Sequence, residues 1–180
     1  DLDFMVTHNT AILGILGVGK SYLAFELIER LIAQRIKVIC LDLTNQYERE
    51  LEPYFDPQIQ KDEITSLQDT GSQGKNQVRQ NVEEGGSVVE FRRELENQLR
   101  RFLTGNNQSD LLRICNPASF EVWRQDSKKY QDTASMATLT PCEITRIISE
   151  ITLEILKGMG MTDQARCCLV FEEAHSLVPE

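Results

Sequence analysis

The chain has 180 residues, 41% of them hydrophobic, enough to bury a real core and to imply one domain. A net charge of -9 and a pI near 4.8 exclude a broad nucleic-acid-binding face on this polypeptide taken alone, because phosphate contact needs clustered Lys and Arg. No run of about 18 apolar residues occurs and the opening DLDFMVTHNT lacks the order of a secretory signal, so neither membrane span nor export is indicated and a cytoplasmic protein is expected.

Residues 10–14, TAILG, form a short apolar run ending in glycine, which predicts a buried strand of a parallel sheet. A helix follows, with Leu23, Leu27, Ile28, Leu31 and Ile32 at three-to-four spacing as its packed stripe and Glu26 and Arg30 as an outward pair. Residues 37–43, KVICLDL, read as a second buried strand. A strand-helix-strand series of this length gives the α/β class, with a mainly parallel sheet flanked by helices.

Residues 56–87 are mostly polar, with Gly71, Gly74, Gly85 and Gly86, and are expected to form an exposed, partly mobile insertion with a short hairpin. From Val88 the apolar residues Phe91, Leu95, Leu99 and Phe102 recur at helical spacing, and Gly105 supplies a stop. DLLRICN, 110–116, reads as a strand. EVWRQDSKKYQDTAS has no clean period, and Trp123 within it reads as a packing anchor. Thr140, Pro141 and Glu143 make a capping-box pattern opening a helix through Ile144, Ile147, Ile148, Ile151 and Ile155, ending near Gly158 and Gly160. CCLVFEEAH, 167–175, is an apolar strand closing on two carboxylates. The chain opens on Asp1 and stops at Glu180, and both ends read as cuts within a longer protein.

The chemistry concentrates at two places. Gly14-Ile15-Leu16-Gly17-Val18-Gly19-Lys20-Ser21 satisfies the phosphate-loop spacing G-x-x-x-x-G-K-[ST], between a predicted strand and a predicted helix. Glycines there permit backbone N–H groups to converge on phosphate oxygens. Gly14, Gly17, Val18, Gly19, Lys20, Ser21 and Tyr22 are therefore the candidate ATP-binding residues, with Lys20 on the β- and γ-phosphates and the Ser21 hydroxyl on Mg²⁺. At the second place, Glu172 would orient the Mg²⁺ shell through water. Glu173 would act as general base toward the attacking water, ionised by nearby Lys20 and metal. Asp42, at another strand end, reads equally as a group behind the metal or as a structural turn acid. His175 and His8 are the only histidines and are expected to be structural or superficial. The five cysteines, Cys40, Cys115, Cys142, Cys167 and Cys168, do not have zinc-ligand spacing and read as reduced core residues.

HNTAILGILGVGKS, VICLDLTNQYERE and LVFEEAHSLVP together resemble the HerA/FtsK superfamily of ring-forming ATPases, particularly its HerA-like helicases and translocases. The resemblance runs from about His8 to Pro179. It implies a RecA-like P-loop fold, ATP and Mg²⁺, a homohexameric ring in which a neighbour contributes an arginine, and work on double-stranded DNA with a partner nuclease or other effector. This sequence departs from the family in having Leu16 and Val18 where relatives carry small polar residues, and Asn45-Gln46-Tyr47 in place of a glycine-glutamate order. The family's later strand, between the phosphate-loop strand and the acidic strand, would follow Glu180, so this piece is expected to have an unfilled slot in its sheet and weak or absent turnover. Two other functions fit the motifs: an ATP-dependent switch or assembly scaffold that moves no DNA, and a small-molecule kinase, which the paired glutamates suit less well.

Overall fold

A computed structural model describes residues 10–13, 19–80, 87–107, 109–126, 135–160, 162 and 164–174. Its centre is strand β1, Lys37–Leu41, which pairs in parallel with β2, Leu112–Cys115, on one side and with β5, Cys167–Phe171, on the other. Val38, Ile39, Cys40 and Leu41 are each at most 2% exposed. Such complete burial needs cover on both faces, and the alternation of side chains along β1 supplies two separate cores. Val38 and Cys40 face helix α1, Lys20–Ala33, while Ile39 and Leu41 face α4, Val88–Thr104, and α5, Pro141–Gly158. The expected α/β class, a parallel sheet flanked by helices, is the one observed.

Helix α1 buries Ala24, Ile28, Leu31 and Ile32, so the packed stripe begins at Ala24 rather than at Leu23, which is 47% exposed. The helix ends in a Schellman motif: Ile36 N–H donates to Leu31 O, Arg35 N–H donates to Ile32 O, and Arg35 takes φ 63. On the opposite face, α5 begins with the full capping box, the Thr140 hydroxyl accepting from Glu143 N–H while the Glu143 carboxylate accepts from Thr140 N–H. Helix α4 stops at Gly105, and the Lys37 ammonium donates to the Phe102, Leu103 and Gly105 carbonyls, neutralising the negative end of that helix.

Three segments depart from the sequence expectations. Residues 10–13 join no strand: Leu13 is 89% exposed and Ile12 rests against the α1 layer. An extended segment becomes a strand only where another backbone accepts its ladder, and among the described residues nothing pairs with the outer edge of β5. The sheet edge at β2 is different, because Gln60 is buried and its Oε1 accepts from Ile114 N–H at 2.9 Å. The second departure supplies that glutamine. The polar segment expected as an exposed, partly mobile insertion with a short hairpin carries a 24-residue helix, α3, Pro57–Gln80, after the single turn of α2, Tyr47–Glu50, while its residues 81–86 lie outside the described residues. Among the helix's described side chains the packed side is Gln60, Ile64, Leu67 and Gly71, at helical spacing but with two apolar members in four, which hides the period in the sequence. The third is a hairpin of β3, Trp123–Asp126, and β4, Ser135–Thr138, where no period was legible.

Gly71 sits in mid-helix because α3 runs against the chain at Glu121: a Cβ there would lie 2.9 Å from the Glu121 carbonyl oxygen. Gly71→Ala should therefore meet an overpacking cost of about 1–3 kcal/mol against a helix-propensity gain of about 1 kcal/mol, for a net destabilisation of up to about 2 kcal/mol. Gly158→Ala, with open space around its Cβ, should show only the gain, and urea unfolding of the two variants checks the contrast. Thr140→Ala should cost about 1 kcal/mol by the same measurement. The Thr140 backbone N–H foremost, with the Thr140 hydroxyl and Arg124 beside it, holds the Glu143 carboxyl below its ordinary value of 4.5, and Thr140→Ala removes the hydroxyl's share. The carboxyl's contribution is thus present above pH 4.5 and is lost as pH falls through the lower folded value, a loss that Thr140→Ala should diminish.

Candidate active site

Parallel pairing in register brings the carboxyl ends of β1 and β5 side by side, Leu41 opposite Phe171. The ladder continues one residue further, with Glu172 N–H donating to Leu41 O at 2.9 Å. Asp42 and Glu172 therefore emerge at the same end of the sheet, where ligands of open α/β sheets bind. The start of α1 arrives at that place. Gly19 precedes the helix with φ 82, a left-handed conformation that favours glycine, and no side chain caps the first turn. No acidic residue stands in that turn either, so the positive end of the helix dipole is uncompensated by a carboxylate of its own helix.

From this start, the Ser21 hydroxyl donates to Glu172 Oε1 at 3.4 Å, joining residues 151 positions apart in the chain. Lys20 is half-buried beside Ser21, and the Tyr22 side chain is 76% exposed. Gly14, Gly17 and Val18 lie outside the described residues, as do His8 and His175. Glu173 is exposed and takes φ 54, an unusual conformation for a glutamate, directly after the half-buried Glu172.

The other oxygen of Glu172 is held more tightly. Tyr47 is fully buried and its hydroxyl donates to Glu172 Oε2 at 2.5 Å. Burial, then the bond to Glu172, pushes the phenol well above its ordinary value, so it remains a donor. Tyr47 was missed as a functional candidate, although TNQYERE contains it; the signal was its place just past a strand end.

Asp42 has a different task. It is 1% exposed, and its two oxygens accept from Thr44 N–H at 2.8 Å, the Thr44 hydroxyl at 2.6 Å and Tyr47 N–H at 2.9 Å. Of the two sequence readings, the turn acid is the one the geometry bears out, and the turn it builds carries Tyr47. A cleft of about 160 Å³ opens beside it, lined by Asn45, Glu48, Gln68, Cys115, Asn116 and Ser119 among others.

The cysteines are all free thiols. Burial pushes Cys115 and Cys167 up to about 12 and raises Cys40 and Cys168 as well, so they are protonated near neutrality. Among the described residues no group of three His, Cys, Asp or Glu side chains is placed to hold a metal, and no helix is long and apolar enough to cross a membrane. Ser21 with Glu172 is an all-oxygen donor pair, which suits a hard cation such as Mg²⁺ supplemented by water and phosphate oxygens.

A family model described as "Helicase HerA, central domain" matches residues 1–123, about two thirds of the chain. No curated protein and no solved structure gives a match.

Removing the Asp42 carboxylate would leave three donors unpaired in a buried turn. Asp42→Ala should lower unfolding free energy by about 2–4 kcal/mol, from one to three unsatisfied donors partly rescued by water, as read by denaturant titration. An effect within about 0.5 kcal/mol would contradict the structural role.

Proposed function

The chain belongs to the helicase HerA central-domain family, and on that premise we propose that it binds ATP with Mg²⁺ and hydrolyses it as the motor of a DNA-translocating assembly. The observation that supports this reading best is the meeting of Ser21, at the start of α1, with Glu172, at the end of β5. The G-x-x-x-x-G-K-[ST] spacing before α1 supports it independently.

In this reading the amides at Gly17 and Gly19 and the Lys20 ammonium bind the phosphates, with Gly14, Val18 and Tyr22 completing the contact around the nucleotide. Ser21 and Glu172 hold Mg²⁺, Glu172 through water. When bound, that ion neutralises charge on the phosphate oxygens. Glu173 accepts a proton from the water that attacks the γ-phosphate, and its exposed position at the strand end leaves it accessible to solvent. Its left-handed backbone is the kind of local strain that clusters at functional sites. A hexameric ring, a neighbour's arginine, double-stranded DNA and a partner nuclease or effector belong to the same proposal. With a net charge of -9, any grip on DNA must be confined to a local basic region or supplied by other parts of the assembly.

Lys20→Ala in the intact protein should weaken ATP binding roughly tenfold or more, the loss of a charged hydrogen-bond partner. Glu173→Gln should leave ATP affinity within a few-fold while lowering kcat by about 10² or more, as expected for loss of a general base. Isothermal titration and a phosphate-release assay read the two effects, and normal turnover in both variants would refute the assignment. Stimulation of hydrolysis by double-stranded DNA at low salt supports the motor, whereas ATP binding without stimulation points to a switch or scaffold.

A further inference from the structure

The two oxygens of Glu172 are held unequally. Oε2 receives a 2.5 Å bond from the Tyr47 hydroxyl, and Oε1 a 3.4 Å bond from Ser21. A hydrogen bond at the long limit is surrendered readily when a better partner arrives, and a short one from a fixed donor is not. Glutamate has three rotatable side-chain bonds and is costly to immobilise, so a donor that holds one oxygen leaves the other aimed with little further loss of freedom.

The tyrosine is itself held from three sides. Its backbone N–H donates to Asp42 Oδ2 at 2.9 Å, and its carbonyl accepts from Leu51 N–H at 3.0 Å. Its ring meets Phe25 edge-to-face at 4.6 Å, and Phe25 lies one turn along α1 from Ser21. The helix that brings Ser21 to one oxygen of Glu172 therefore braces the donor to the other. A phenylalanine would fill the same apolar space without a hydroxyl to desolvate, so packing alone does not account for tyrosine there.

We propose that Tyr47 is a positioning residue, whose hydroxyl fixes Glu172 by Oε2 so that Oε1 is presented beside Ser21 to the metal of the nucleotide complex. The inference rests on the reading of Ser21 and Glu172 as the metal-holding pair. It also links metal affinity to the turn after β1, because Asp42 sets the place of Tyr47.

The probe is Mn²⁺, titrated by electron paramagnetic resonance into the intact protein with a non-hydrolysable ATP analogue. Tyr47→Phe keeps the ring and should weaken Mn²⁺ binding about tenfold, the effect of one hydrogen bond to a charged group, while metal-free nucleotide affinity and the thermal midpoint stay near wild type. Glu172→Gln serves as the reference and should weaken Mn²⁺ at least as much. Unchanged or tighter Mn²⁺ binding in Tyr47→Phe, with Glu172→Gln impaired, would overturn the positioning role and leave the metal assignment standing. No change in either variant would overturn both. Equal weakening of Mn²⁺ and metal-free nucleotide, or a marked fall in the midpoint, would assign the hydroxyl to the fold alone and likewise overturn the proposal.

Discussion

The continuation of the β1–β5 ladder by one bond, from Glu172 N–H to Leu41 O, sets the geometry of the whole carboxyl end. Because the strands are parallel and in register, that bond places an acid from late in the chain beside the turn that follows the central strand. It also places the acid within reach of α1, which packs on Val38 and Cys40 of that same strand. A shift of one residue would exchange the cores on the two faces of β5 and turn Glu172 away from Ser21. Burial on both faces is what forbids the shift, since Cys167 and Leu169 belong to one core and Cys168 and Val170 to the other.

The two sheet edges are managed differently. At β2, a buried glutamine from α3 accepts the Ile114 N–H, and Arg113 is ion-paired to Glu63 of the same helix at 2.7 Å while stacking over Phe102. These contacts pin a largely polar helix to the sheet without many apolar side chains, through partly buried, directed bonds worth more than their exposed counterparts. The edge at β5 carries half-buried apolar residues and Phe171 is 39% exposed.

Two acids at neighbouring strand ends show how environment divides labour between like residues. Asp42 is enclosed, and its oxygens are consumed by the backbone and by Thr44. Glu172 is half-buried, with one oxygen bound short and the other long. The first acid builds the turn that carries Tyr47, and the second receives the Tyr47 hydroxyl, so a structural carboxylate and a functional candidate are connected through one side chain. The acid with spare coordination is the one suited to a cation.

Much of this was legible in the residues alone, wherever the signal is local. The three-to-four spacing of α4 and α5, the Thr140 capping box, the apolar runs of β1 and β5 and the G-K-S turn all arise from interactions within a few residues, so the sequence carries them directly. Helix α3 was not legible, because its packed side uses a glutamine that caps a strand edge and a glycine that admits a passing backbone, and both choices answer to distant neighbours. Residues 10–13 have the composition of a strand, but a ladder needs a second backbone, and composition cannot supply one. The acids at 42 and 172 look alike in sequence. Only the tertiary fold separates them, since whether a carboxylate is spent or available depends on which donors the folded chain brings within 3 Å of it.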